Sequence, residues 1–192
     1  MRRISYTIAL AIALAVPALT AARQTAGQAQ TPPQAPVRPP DIFWLATRDP
    51  VVDAMLKLAN VTKNDVVYDL GCGDGRIVIA AATEFGARGV VVDLDPQRIR
   101  EAQANAIRAG VADRVTFRVQ DIFDTEIQPA TVVTLFLSPE VNAQLRPKLT
   151  SQLKPGSRIV SHRYGIGDWV PERTETLAVR GTRNHIFLWR VP

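Results

Sequence analysis

The segment Val66–Ala82, VVYDLGCGDGRIVIAAA, joins an apolar run to a second apolar run at helical spacing through a turn that holds Gly71, Gly73 and Gly75. Glycine in such a turn frees the backbone for positive φ and lets a ligand approach where a Cβ would stand. The surroundings of the turn are acidic. Asp69 closes the first run and Asp74 lies inside the turn; Asp93 ends a second run, VVVDLDP, and Asp121 follows a third, in VQDIFD. The dinucleotide pattern G-x-G-x-x-G would need glycine where Arg76 stands, and the phosphate loop ending in Gly-Lys-Ser/Thr is absent. Carboxylates repel a pyrophosphate and attract a ligand with positive groups. A carboxylate at 93 can accept from both hydroxyls of a ribose, one at 121 can accept from an exocyclic adenine amine, and Ile122 offers an apolar wall. The set suits an adenosine that carries a cationic, amino-acid-like tail.

The elements that must position these residues are legible in the pattern. Asp49-Pro50, Asp95-Pro96 and Ser138-Pro139 each put a capping side chain before a proline at the first helical position. After Pro50, the residues Val51, Val52, Met55, Leu58 and Ala59 share one helical face; after Pro96, Ile99, Ala102 and Ala106 do so, with Gly110 as the stop. After Pro139, Val141 and Leu145 continue the pattern; Pro147 is expected to break or kink it, with a short second helix carrying Leu149 and Leu153. Between these lie Val66–Leu70, Gly89–Asp93, Val115–Val119, Thr131–Leu137 and Arg158–Ser161, continuous apolar runs of the kind buried on both faces of a parallel sheet. TETLAVRGTRNHIFLWRV reads as an antiparallel hairpin turning at Gly181-Thr182. The sequence therefore predicts an α/β fold: a Rossmann-like, doubly wound, mostly parallel sheet in a single domain, closed by a C-terminal antiparallel hairpin. Ligands of such a sheet sit beyond the carboxyl ends of the strands, where the glycine turn lies.

The 192 residues allow one domain with a short leader. MRR followed by ISYTIALAIALAVPAL and TAA has the layout of a secretory signal or membrane anchor over residues 1–22. Residues 23–40, rich in Pro, Gln and Ala, read as a disordered linker, and residues 41–192 as the folded domain. An exported, periplasmic or inner-membrane-anchored domain is expected, with a place on the cytoplasmic face as the alternative. The net charge of +5 is modest and lacks a basic run with interleaved aromatics, which gives no support to a nucleic-acid partner. One cysteine, Cys72, and two histidines, His162 and His185, build no metal motif. Cys72 reads as a small filler of the turn, and His162 as a structural residue. Trp44, Trp169 and Trp189 are expected at sheet edges or the substrate entrance, and the RPKL stretch at Pro147 on a solvated helix face.

YDLGCGDGR, VVVDLDP and VQDIF resemble the nucleotide-binding motifs of the class I, seven-strand S-adenosylmethionine-dependent methyltransferases, over the chain from about Asp41 to its end. The resemblance implies S-adenosylmethionine as cofactor and S-adenosylhomocysteine as product. It implies that Gly71, Gly73 and Gly75 wrap the methionine part, that Asp69 lies near its amino group, that Asp93 holds the ribose and that Asp121 contacts adenine. Thr47, Cys72, Leu94 and Ile122 complete the cofactor-binding set. AMLKLANV, VVTLFLSPEVNAQLRPKL and LKPGSRIVSHRYGIGDW resemble, more narrowly, small methyltransferases related to the mitochondrial protein lysine methyltransferases of the ATP synthase c-subunit and the adenine nucleotide translocase type, which carry an N-terminal hydrophobic anchor. Where those have Pro-Thr before the first helix, this chain has Ala46-Thr47. A monomer acting on a protein lysine, in a membrane-embedded or membrane-proximal substrate, is implied. LFLSP ends the fourth strand in place of an Asp/Asn-Pro-Pro-aromatic motif, which argues against adenine-N6 or glutamine methylation of that type. Leu137, Ser138 and Tyr164 are candidates for the substrate mouth, and no catalytic residue is named. The alternatives are an exported module that binds the cofactor without transfer, and a small-molecule methyltransferase. A nicotinamide oxidoreductase conflicts with Arg76.

Overall fold

The structure is a computed structural model that describes residues 46–192. The leader, the linker, the start of the domain at Asp41 and Trp44 lie outside the described residues. Among those described, seven strands form one sheet in the order β3-β2-β1-β4-β5-β7-β6. The strands are β1 (Val66–Leu70), β2 (Arg88–Asp93), β3 (Val115–Val119), β4 (Val132–Leu135), β5 (Arg158–His162), β6 (Arg173–Val179) and β7 (Thr182–Arg190). The first five pair in parallel, and β7 inserts antiparallel between β5 and β6. The chain leaves β1 in one direction to β2 and β3, then returns to the other side of β1 for β4. That reversal opens a crevice at the carboxyl ends of β1 and β4, the place where open α/β sheets bind ligands.

Because β1 alternates faces, Val67 joins one core and Tyr68 and Leu70 the other. The first core packs α1 (Asp49–Leu58), α2 (Arg76–Phe85) and α3 (Pro96–Arg108) on the sheet; the second packs α4 (Pro139–Gln152). A 3-10 turn, Ala112–Arg114, leads into β3 and had no clear signature in the sequence.

Two helix starts match their sequence signature, and one departs from it. Asp95 accepts from the Gln97 amide, and Ser138 from the Val141 amide. Asp49 instead is the first residue of α1; Arg48 stands at the cap and makes no side-chain cap bond. Pro147 does not break α4, which runs through it from Pro139 to Gln152. Leu145 and Leu149, on either side, are fully buried against the sheet, and their burial outweighs the amide bond a proline forfeits. The hairpin turns one residue earlier than expected. Val179 pairs with Thr182, so Arg180 and Gly181 form the loop, with φ of 50° and 78°. Positive φ at both positions is the two-residue turn whose twist matches that of the strands.

Candidate active site

The glycine turn is held by the strand beside it. The Val92 carbonyl accepts from the amides of Gly71 and Cys72 at 2.9 and 3.0 Å, and the Gly75 amide donates to the Cys72 carbonyl at 3.0 Å. Gly71 and Gly73 have φ of 80° and 55°, which L side chains rarely adopt. A Cβ on Gly71 would lie 2.6 Å from Leu137 Cδ2, so Leu137 covers the turn from the end of β4. Gly75 serves a different purpose: its Cβ would stand 2.8 Å from that of Ala102, and its absence lets α2 pack against α3. Cys72 is buried, and burial among Asp69 and Asp93 pushes its thiol well above the ordinary range, as suits a filler and not a nucleophile.

The carboxylates divide into two kinds. Asp69 is 3 % exposed at the end of β1 and accepts from the Thr134 hydroxyl at 2.7 Å. Burial pushes it up to about 7 against the pull of that hydroxyl, and the nearby Asp93 and Asp74 add to the rise. Asp93 ends β2, where it accepts from the Gly73 amide at 2.9 Å and the Asp95 amide at 3.0 Å. It thus ties the glycine turn to the start of α3, and each oxygen keeps a further lone pair for a hydroxyl donor. Its value is also raised, by burial first. Asp74 is of the other kind. Its two oxygens take a forked bond from Arg76, Nε at 2.9 Å and Nη2 at 2.6 Å, which holds it below the usual carboxylate value despite burial. Asp74 was expected to face a cationic ligand; its charge is instead answered from within the chain.

Asp121 follows β3 and accepts from the Phe123 amide at 2.9 Å, while its carbonyl accepts from the Thr125 hydroxyl. The turn so formed seats Ile122 at the rim of the second core, 7 % exposed, and Leu94 is half-buried after Asp93. Thr47, in the lead-in to α1, is buried: its carbonyl accepts from Arg76 Nη1 at 2.9 Å and its hydroxyl meets His162 Nδ1 at 3.3 Å. The Arg76 fork and the Thr47–His162 contact have no counterpart in the sequence reading. The second joins residues 115 apart, beyond the reach of any local signal.

At the mouth, Leu137 is buried over Gly71 while Ser138 is committed to capping α4. Tyr164 is half-buried, and its carbonyl accepts from the Ser161 hydroxyl at 2.7 Å and the Asn142 amide at 3.4 Å. Trp189 is buried in the second core and donates to the Trp169 carbonyl, so both pack the hairpin side of the sheet. The RPKL stretch is more engaged than a solvated face: Lys148 donates to the Phe123 carbonyl at 2.7 Å, and Arg146 pairs with Asp168 over the Trp169 ring.

The donor set fits an adenosine with an aminoacyl tail better than a phosphate. Carboxylates stand at three neighbouring strand ends, a glycine turn fastens to one of them, and the guanidinium in the turn is consumed by Asp74. Fold and relatives together define an S-adenosylmethionine-dependent methyltransferase. The chain matches the family model of the ANTKMT methyltransferase domain over residues 69–173, and it belongs to that family. It is 45% identical over 153 residues to a protein-lysine N-methyltransferase of Saccharolobus islandicus, covering 78% of this chain and 94% of that one. It is 34% identical to the ATP synthase c-subunit lysine N-methyltransferase of Xenopus laevis over 58% of this chain and 49% of that protein, about half its length. A crystal structure of an RNA methyltransferase from Salinibacter ruber with S-adenosyl-L-homocysteine superposes with a TM-score of 0.73 and 51% identity, over 77% of this chain and 94% of that one.

Proposed function

We propose that this methyltransferase acts on the side-chain amine of protein lysines. The observation that carries the reading is the 45% identity to a protein-lysine N-methyltransferase along nearly the whole of that protein. When bound, S-adenosylmethionine supplies an electrophilic methyl group on its sulfonium. This chain would hold it by Asp93, and Leu94 beside it, at the ribose, and by Asp121 and Ile122 at the adenine. Gly71, Cys72, Gly73 and Gly75 would form the turn around the methionine part, with Asp69 at its amino group and Thr47 among the residues that hold it. Positioning of the amine in line with the methyl group provides most of the acceleration in such a site. A lysine must first lose a proton it holds up to about pH 10.4 in water. Leu137 and Phe136 at the end of β4 offer an apolar entrance that favours the neutral amine.

Methyl transfer is tested by incubating the full chain with methyl-labelled S-adenosylmethionine and, separately, cell protein and cell RNA. Label on lysines, mapped by mass spectrometry, is the expected result. Label confined to RNA would overturn the lysine reading and favour the acceptor class named for the Salinibacter ruber relative. Residues 1–22 are proposed as signal or anchor and 23–40 as a tether to a membrane-associated substrate. Fractionation with sequencing of the mature N-terminus tests this, and an intact Met1 in the soluble fraction would reject it.

A further inference from the structure

We infer that His162 is a positioning residue: it fixes the Thr47 hydroxyl as a hydrogen-bond acceptor facing the cationic tail of the cofactor. The inference rests on the cofactor placement proposed above and assigns a role to a residue outside it. His162 ends β5, 4 % exposed, and its ring lies 4.2 Å from that of Phe136 at the end of β4. Both of its nitrogens are engaged. Nε2 lies 3.1 Å from Asn184 Oδ1 on β7, and Nδ1 lies 3.3 Å from Thr47 Oγ1.

The direction of each bond follows from the far end of the chain of contacts. Asn184 Nδ2 donates to the Thr182 carbonyl at 2.9 Å, which turns Oδ1 toward the ring. An amide oxygen only accepts, so Nε2 carries the hydrogen. The neutral ring then has only a lone pair at Nδ1, and the Thr47 hydroxyl must donate to it. That hydroxyl has one hydrogen, now spent, and what Oγ1 can still offer is its lone pairs. Burial, with Arg163 beside it, holds the imidazole below its ordinary value and so keeps this neutral tautomer.

Thr47 is fastened on its other side as well. Its carbonyl accepts from Arg76, and Arg76 is braced by the fork to Asp74 within the glycine turn. The Asp74 carbonyl in turn accepts from Asn105 of α3 at 2.9 Å. The lead-in to α1 is therefore strapped from the start of α2 to the end of β5, across the ends of β1 and β4. An oxygen that can only accept, strapped through Arg76 to the glycine turn, is complementary to an ammonium and opposed to a carboxylate. His162 acts on the ligand only through Thr47.

Asparagine and glutamine separate the two ring contacts. His162→Asn keeps an acceptor at the place of Nδ1 and loses the link to Asn184; His162→Gln keeps the link to Asn184 and loses the acceptor for Thr47. The full chain and both variants, with Thr47→Val, are titrated calorimetrically with S-adenosylhomocysteine and with 5′-methylthioadenosine, which lacks the aminoacyl tail. His162→Gln and Thr47→Val are expected to weaken S-adenosylhomocysteine roughly tenfold, the worth of one bond to a charged group, and to leave 5′-methylthioadenosine within about twofold. His162→Asn is expected to bind both ligands as the parent does, though all three variants lose some melting temperature. Equal losses for Asn and Gln, in step with melting temperature, would reduce His162 to a structural residue and overturn the proposal. So would equal losses for the two ligands. Failure of the parent chain to bind either ligand would overturn the cofactor placement itself and the proposal with it.

Discussion

Two buried aspartates sit at opposite ends of the first strand, and their surroundings differ. Asp65, just before β1, accepts from the Thr62 amide at 2.8 Å, the Thr62 hydroxyl at 3.0 Å and the Thr131 hydroxyl at 2.7 Å, and it pairs with Arg158 of β5. Burial alone would raise its value, but these partners together hold it below the usual carboxylate range. Asp69, at the carboxyl end, meets the Thr134 hydroxyl and faces two further carboxylates; burial pushes it up to about 7. One end of the sheet has its charge satisfied from within, and the other keeps an electrostatic debt that a cationic ligand would settle. The first arrangement stabilises the fold; the second is what a binding site looks like before its ligand arrives.

The largest effect expected from this contrast is on stability at the satisfied end. Asp65→Ala leaves the partly buried Arg158 without its carboxylate and strips three further donors of their acceptor. Denaturant unfolding is expected to show a loss of about 3 kcal/mol, typical of breaking a buried pair. A loss below about 1 kcal/mol would mean that the cluster is better solvated than its burial indicates. At the other end the effect moves from stability to binding. Asp93→Ala is expected to weaken S-adenosylhomocysteine by about 1–3 kcal/mol, the worth of charge-assisted bonds to the ribose, in a calorimetric titration. Unchanged affinity would remove Asp93 from the ribose. The smallest effect separates a cap from a neighbour that merely resembles one. Ser138→Ala should cost about 1 kcal/mol in unfolding, whereas Asp49→Ala, which loses no cap bond and only an exposed ion pair to Arg76, should lower the melting temperature less.

The sequence is most informative where local patterns decide the structure. The parallel strands announce themselves as Val, Ile and Leu runs because both of their faces are buried, and β1 and β3 have the expected bounds. The strand-end aspartates follow from those runs, as does the glycine turn. Contacts that close over long stretches were invisible: Arg158 reaches Asp65 across 93 residues, and His162 reaches Thr47 across 115. Local rules also mislead when packing overrides them, as at Pro147, where two buried leucines hold the helix together. Asp74 misleads for a similar reason. Its carboxylate is within two residues of the guanidinium that answers it, but only the fold of the turn turns the fork inward.

The contrast between the two aspartates is also a contrast of sign against pH. Asp65, with its folded value lowered, contributes stability that is present above its ordinary value of 3.8 and is lost as pH falls through the folded value. Asp69, with its folded value raised, favours the protonated fold, so the ligand-free chain loses stability as pH rises from about 4 through about 7. A cationic ligand beside Asp69 favours the ionised form, so binding must release a proton below about 7 and strengthen as pH rises. The direct test is a calorimetric titration of the full chain with S-adenosylhomocysteine from pH 6 to pH 8, in two buffers of different ionisation enthalpy, for the parent and Asp69→Asn. The account predicts buffer-dependent heat from proton release in the parent below about 7, with affinity rising up to about that pH and level above it, and weaker, buffer-independent binding by the variant, whose stability does not fall with pH through this range as the parent's does. Binding by Asp69→Asn as tight as that of the parent, with the same proton release, would contradict it.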